Sequence, residues 1–353
     1  MNGPIENDTW AQAALPVRNG GLGIRKMQDL SLIAYLSSWH ASKSLVEQIL
    51  PNGAKEEILD NETQALWTQL SNTAETPSSP DKQKSWDHIV VERTYKNLLD
   101  GSSNTAVRSC LLGVTSPYAG AWLEALPVAS LGTRLDEESV RIAVSLRLGA
   151  PICLAHKCKC TAQVQNDGLH GLDCKKSAGR FARHAELNNI IHRSLTTIGH
   201  PSVLEPSGIT RDDGRRPDGL TLFPWKNGKP LVWDVTCVAT LAASNLIHSS
   251  RTPGAAATEA ERKKSEKYSD LLPDYAFTPL GFETMGHWGS STINFIRKLG
   301  VELSAATNEP RSSMFLRQRL SIAIQRGNAA AVRGTVPEGS QMGELFYLPF
   351  SQG

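Results

Sequence analysis

Hydrophobic positions along the chain recur with two periods, and their alternation lays out the expected elements. An apolar helical stretch runs from about Leu30 to Leu50, after a glycine-punctuated extended turn from Leu15 to Arg25 (LPVRNGGLGIR). That turn has neither a downstream Gly-Lys-Ser/Thr nor a preceding strand, so it reads as a turn packed against the next helix and not as a phosphate loop. Residues 55–110 are polar and helix-prone, broken at Thr76-Pro77-Ser78-Ser79-Pro80, which reads as an exposed linker. Two helical patterns lie between Ala119 and Leu148, Ala121–Pro127 and then Asp136–Leu148. In the second, Asp136 suits an N-cap and Val140, Ala143, Val144 and Leu148 form one apolar stripe. A helix with Leu187, Ile190, Ile191 and Leu195 follows, then a short strand end at Val203–Pro206 bearing Glu205, and a turn at Arg211–Gly214. Beyond residue 250 the pattern gives a small-residue loop at Pro253–Ala257 and a helix from about Thr258 to Leu272. A strand at Ala276–Phe282 ending in Glu283 and a helix at Ile293–Leu299 come next. The last helix, Met314–Val332, reads as amphipathic, with Leu316, Leu320, Ile322 and Ile324 opposed by Arg317, Arg319 and Arg326, and the tail after Gly334 as irregular. No long repeat is visible.

Between the two helical regions, Arg215–Thr236 reads as two β-prone strands joined at Lys226-Asn227-Gly228, with Asp218 and Asp234 one on each strand. A two-residue Asn-Gly loop throws the two aspartates onto opposite faces. A three-residue loop, with Gly228 left-handed, sets Asp218 opposite Thr236 and diagonal to Asp234, with β-carbons about 7–8 Å apart on one face. Two carboxylates at that separation can share a divalent cation. The other face carries Thr221, Phe223, Leu231, Trp233 and Cys237, so both faces are expected to be buried. The plainer alternative is a hairpin with two solvated aspartates. Asp234 interrupts Leu-Val-Trp-Asp-Val, where an unpaired charge is costly, and this favours a partnered carboxylate.

Composition narrows the picture. With 353 residues the chain suffices for two or three domains, and 37 Lys+Arg against 35 Asp+Glu leaves a net charge of +2. Any nucleic-acid contact must therefore come from local patches. There is no apolar run of about 18 residues and no charged-then-apolar leader, so neither a membrane span nor a secretory signal is expected. Six cysteines are too few for a disulfide scaffold, and three of them cluster with a histidine. Cys158 and Cys160 are followed after nine residues by His170 and after three more by Cys174. Three thiolates and an imidazole fit a closed tetrahedral Zn²⁺ site with no open position for catalysis. Zinc binding contributes about 10–16 kcal/mol in small zinc modules, enough to order a loop with little core. Gly168 and Gly171 would let that loop fold back, Cys153 and His156 are alternative ligands, and scattered free cysteines are the plainer reading. A basic run follows, Lys175, Lys176, Arg180, Arg183, His184 and Arg193, suited to phosphate contacts or simply to solvation.

The order carboxylate, Arg-Pro-Asp (residues 216–218), fifteen residues, Asp-Val-Thr (residues 234–236), then a lysine-bearing helix resembles the PD-(D/E)XK nuclease superfamily. More narrowly it resembles the restriction-like endonuclease domain at the C-terminus of site-specific non-LTR retrotransposon proteins, where a CCHC knuckle also sits just upstream. The Leu15–Arg25 segment resembles the one that follows the polymerase palm in such reverse transcriptases. The resemblance covers residues 10–50 loosely and 120–300 more closely, and its specificity lies in the knuckle and Pro-Asp together. It implies that Asp218 and Asp234 bind Mg²⁺ or Mn²⁺, with Glu205 a candidate third carboxylate. Thr236 stands where the superfamily lysine belongs, and Lys264 or Lys267 on the following helix is expected to supply the ammonium. No Tyr/Phe-x-Asp-Asp polymerase signature occurs.

The implied architecture is α+β or α/β in five parts: 1–60, a polymerase thumb-like remnant; 61–150, a helical linker region; 151–180, a zinc knuckle; 181–302, a PD-(D/E)XK-like mixed sheet flanked by helices; and 303–353, a helix and tail. The expected activity is metal-dependent DNA endonuclease action in the nucleus, with Lys175, Lys176, Arg180 and Arg183 on the phosphates and RNA as a further partner. The rivals are an inactive nucleic-acid-binding remnant and a purely structural zinc protein.

Overall fold

The computed structural model describes residues 5–49, 61–177, 179–209 and 216–336; the expected turn at Arg211–Gly214, the end of the first long helix at Leu50 and the tail past 336 lie outside the described residues. These residues form a mixed α/β protein with twelve α-helices, a four-stranded mixed sheet and a small antiparallel pair. They divide into two compact units, Glu6–Ser103 and the residues from Asn104 onward, with which Ile5 is grouped. The boundary cuts through the expected 61–150 region, and the parts expected at 151–180, 181–302 and 303 onward fall within one unit. No helix among the described residues is long and apolar enough to cross a membrane.

The first unit holds α1 (Asn7–Ala14), α2 (Met27–Ile49), α3 (Asn61–Ser71) and α4 (Gln83–Gly101). Trp67 and Trp86 meet edge to face at 4.7 Å over Ile33, Leu36 and Val90. The glycine turn is tied to the helix before it: Leu22 N donates to Ala13 O at 3.0 Å and Gly23 N to Leu15 O at 2.9 Å. A β-carbon at Gly21 would lie 2.0 Å from Leu15 O, so only glycine permits this approach.

In the second unit α5 (Thr105–Val114) and α6 (Glu137–Leu148) come first, then a minimal pair β1 (His156–Lys157) and β2 (Gln163–Val164). Next are α7 (His170–Asp173), α8 (Gly179–Thr197), β3 (Ser202–Leu204), β4 (Gly219–Lys226) and β5 (Lys229–Val238). The chain closes with α9 (Ala243–Ser249), α10 (Ala255–Lys267), β6 (Ala276–Glu283), α11 (Ser290–Thr307) and α12 (Ser312–Arg333). The strand order is β3-β4-β5-β6; the first two pairings are antiparallel and β5–β6 is parallel, with α9 and α10 in the crossover. Leu231, Trp233 and Val235 pack with Leu187 and Ile191 of α8, Leu299 of α11 and Leu320 and Ile324 of α12. The opposite face of β5 and β6 carries α10.

One expected stripe is rotated, and another is part of a wider buried surface. Asp136 does cap α6, accepting from Ser139 N at 2.9 Å, but Val140 is 41% exposed while Ile142, Ala143, Leu146 and Leu148 are buried. The helix lies between α5 and α12, so its buried arc is wider than one stripe. In the last helix the expected Leu316, Leu320, Ile322 and Ile324 are all buried and Arg317, Arg319 and Arg326 less so, but burial reaches further round: Leu320 and Ile324 enter the sheet core, Ile322 packs on Trp122 and Ala143, and Ala331 and Val332 pack beside Cys158 and Cys174.

Candidate active site and Cys/His metal centre

The hairpin reaches its geometry by a route the alternation did not predict. Asn227 (φ 51°) and Gly228 (φ 76°) make a two-residue turn that pairs Lys226 with Lys229, in place of the expected three-residue loop. On a regular ladder this would separate the aspartates. Two register shifts flank Pro224, which pairs with Pro230, and the ladder resumes at Leu220–Val232 and Gly219–Trp233. Pro224 has no amide to give to the ladder, and β3 starts opposite Thr221 and runs away from the turn, so the irregular half of β4 lies beyond its reach. Thr221 Oγ1 bridges the defect, accepting from Leu231 N at 2.8 Å and donating to Phe223 O at 2.9 Å. Leu222 and Phe223 are both 57% exposed, so the outer half of the hairpin is not buried on both faces. The net shift sets Asp218, one residue before β4, across from Asp234. Gly219 makes this possible, because a β-carbon there would lie 2.0 Å from the Trp233 ring.

Asp234, buried on β5, is ion-paired with Lys264 from α10. The Asp218 amide donates to Trp233 O at 3.1 Å, and its carboxylate Oδ2 accepts from Val235 N at 2.6 Å. His184 of α8 places Nε2 2.9 Å from the same oxygen and 3.2 Å from Val235 O. An ionised Asp218 only accepts, so Nε2 carries the hydrogen. Asn188, one turn along α8, accepts from Trp233 Nε1 at 2.9 Å and donates to His184 O at 3.3 Å. The hydrogen bond to Asp218 raises the His184 pKa against the pull of burial; the charges of Asp218 and Asp234 add to it and Lys264 opposes. Burial would raise Asp218, but the His184 hydrogen bond and charge and the Val235 amide outweigh it and hold the carboxyl low.

Asp218, Asp234 and Lys264 thus come together with His184, a residue read from the sequence only as part of a basic run. Its spacing from Asn188 and Ile191 on one helical face was the available signal. Lys267 points elsewhere, with Nζ 2.6 Å from Tyr268 Oη and over that ring. Glu205 is beside the site through its backbone, its amide donating to Asp218 O at 2.8 Å, but its exposed carboxylate pairs with Arg216 at 2.7 Å. Arg183, expected on phosphates, is buried: its guanidinium donates to Asn328 Oδ1 at 2.6 Å and its stem fills the space over Gly327. It faces α12 because that side of α8 is the inward one. Lys175 and Lys176 are exposed, and the half-buried Arg180 donates to Asp173 O.

The ligand atoms of Cys158, Cys160, His170 and Cys174 all lie within 4.8 Å of one another and could hold a metal ion such as zinc. Cys158 closes a tight turn, with its amide on Ala162 O at 2.9 Å, Thr161 N on its carbonyl at 2.8 Å and Thr161 at φ 76°. Cys160 Sγ stands 3.2 Å from His170 Nε2. Gly168 turns left-handed at φ 64°, and Gly171 lets α7 lie against α12, where a β-carbon would be 2.8 Å from Ala331 O. The Ala162 amide, joined by neighbouring thiols and His170, draws Cys160 down to about 7, whereas burial pushes Cys158 up to about 11. The alternative ligands are engaged elsewhere: His156 Nε2 meets Thr335 Oγ1 at 2.9 Å, and buried Cys153 faces Gln165 O. A cleft of about 490 Å³ is lined by Cys160, His170 and Cys174 of the cluster together with Lys175, Lys176, Leu241 and Ala242. No protein-family model matches this chain, and no curated protein matches it.

Proposed function

We propose that this chain is a metal-dependent DNA endonuclease of the PD-(D/E)XK kind, derived from a retroelement protein and acting in the nucleus, with its Cys/His module serving as a zinc knuckle on nucleic acid. The observation that carries the reading is the meeting of Asp218 from the lead-in to β4, Asp234 from β5 and Lys264 from α10 around a mixed sheet. Lys264 occupies the role left open by Thr236, reaching Asp234 from α10 instead of along β5. The donor set fits a hard divalent cation: both groups are carboxylates, and the buried Asp234 already faces a positive charge. Asp218 and Asp234 would hold Mg²⁺ or Mn²⁺, which when bound neutralises a scissile phosphate and lowers the pKa of a coordinated water. Lys264 offsets charge that develops on the phosphate. Val235 N and His184 keep Asp218 turned into place. Lys175, Lys176 and Arg180 lie between the Cys/His loop and His184, so phosphates of the same strand, in DNA or in RNA, can follow them to the carboxylates.

Nicking of supercoiled plasmid tests the reading. The parent nicks in Mg²⁺ or Mn²⁺, and Asp218→Ala or Asp234→Ala slows it by about 100-fold or more. Equal rates for parent and Asp218→Ala would remove the assignment. Thr236 in place of the superfamily lysine favours a second reading, an inactive nucleic-acid-binding remnant, whose signature is DNA binding without nicking in either metal. A chain that neither nicks nor loses DNA binding when its zinc is chelated would be a structural zinc protein.

A further inference from the structure

We propose that His184 is the positioning residue for Asp218: it clamps one carboxylate oxygen so that the other is presented to the divalent cation. This rests on the reading of Asp218 and Asp234 as the cation site. Asp218 lies one residue before β4 with its backbone tied to Trp233 O and Glu205 N, so what remains to be set is the carboxylate's orientation, and that depends on what it bonds. Two donors, Val235 N at 2.6 Å and His184 Nε2 at 2.9 Å, fall on Oδ2. The Val235 amide is part of β5 and cannot turn away. The helix that carries His184 is held in place from behind. Asn188 links the His184 carbonyl to the buried Trp233 indole, and α8 lies so close to α12 that β-carbons at Gly179 and Gly327 would fall 2.3 Å and 2.4 Å from Ala331 N and Arg183 Cβ. Imidazole and amide together pin one oxygen and aim its twin. A carboxylate held this way loses less freedom when it takes up a cation, and hydrogen-bond partners of metal-binding carboxylates commonly matter 10–100-fold for affinity (roughly). Nothing in α8's own packing requires a histidine here, because the side chain is 43% exposed and Leu187, Ile190 and Ile191 supply the core contacts.

The test is Mn²⁺ binding to the DNA-free, zinc-loaded full chain, followed by electron paramagnetic resonance, with melting temperatures measured alongside. His184→Ala is expected to weaken Mn²⁺ binding by roughly 10–100-fold with little change in melting temperature. His184→Gln, whose Nε2 can donate from a similar position, is expected to recover most of the affinity. Parent-like binding by His184→Ala, or equal loss in both variants, overturns the proposal. Asp218→Ala separates the two levels. If it abolishes Mn²⁺ binding and His184→Ala does not weaken it, only the role of His184 fails; if Asp218→Ala binds like the parent, the cation site fails and this proposal with it.

Discussion

The charge relations around Asp218 and Asp234 fix what single substitutions should do. His184 is raised above its ordinary 6.5 by Asp218, so the folded chain holds that proton more tightly than the unfolded chain. Its contribution to stability is complete below 6.5 and is lost as pH rises through the raised value. Asp218 is lowered from 3.8, so its contribution is present above that value and is lost as pH falls through the lowered one. The pair therefore stabilises most between these limits. In Asp218→Asn the imidazole keeps burial and Lys264 against it and loses its main partner, so nuclear magnetic resonance should show its titration moving to lower pH; an unchanged titration would mean the contact is not populated. The two lysines are also separable. Lys264→Met should slow nicking about 100-fold, while Lys267→Met stays within a few-fold, because only Lys264 reaches the carboxylates. Leaving Asp234 buried without its partner costs about 3–5 kcal/mol, so the double variant with Asp234→Asn should recover the melting temperature and still fail to nick.

At the scale of elements, α8 connects the two sites: Cys174 lies just ahead of its first residue, Gly179, and His184 follows in its second turn. Chelation of metal from the Cys/His cluster is expected to speed hydrogen exchange in the first turns of α8 while β6 stays protected; uniform protection would show that the helix start does not depend on the cluster. Gly179→Ala should lower stability by about 1–3 kcal/mol, since the new methyl meets the backbone of Ala331 and neither helix can yield cheaply. Much of this level was legible in the sequence. The Cys/His spacing, the Asp136 cap, the strand at 276–282 and the hairpin all follow from local rules. The hairpin register did not, although Asn-Gly was in view, because the effect of Pro224 depends on which neighbour lies beside it. That depends on β3 starting at the level of Thr221, a fact of tertiary structure. Lys264 against Lys267 was equally beyond reach, since a spacing of three leaves both on one helical face and only the packing of α10 on β5 chooses between them.

For the whole molecule, the parts hardest to read were those where polar residues are buried. Alternation marks apolar side chains, and α12 hides Gln318, Ser321, Gln325 and Asn328; two of them find partners in distant segments, Gln318 donating to Glu124 O and Asn328 receiving Arg183 and donating to Thr284 O. Their burial makes α12 the common spine of the sheet core and the Cys/His region, and this is why the expected separate parts from residue 151 onward form one unit. The same integration bears on where function resides. Asp218, Asp234, Lys264, His184 and the four Cys/His ligands all belong to the unit that begins at Asn104, while Glu6–Ser103 has its own core around Ile33, Leu36, Trp67, Trp86 and Val90. A protein comprising residues 104–353 should therefore fold with one equivalent of zinc, bind Mn²⁺ with parent affinity and nick plasmid at a rate within a few-fold of the full chain. Zinc content, paramagnetic resonance and nicking on the two proteins side by side measure this. A fragment that folds with zinc but has lost Mn²⁺ binding would show that Glu6–Ser103 supplies part of the cation site; one that binds Mn²⁺ and no longer nicks would assign that segment to holding the nucleic acid.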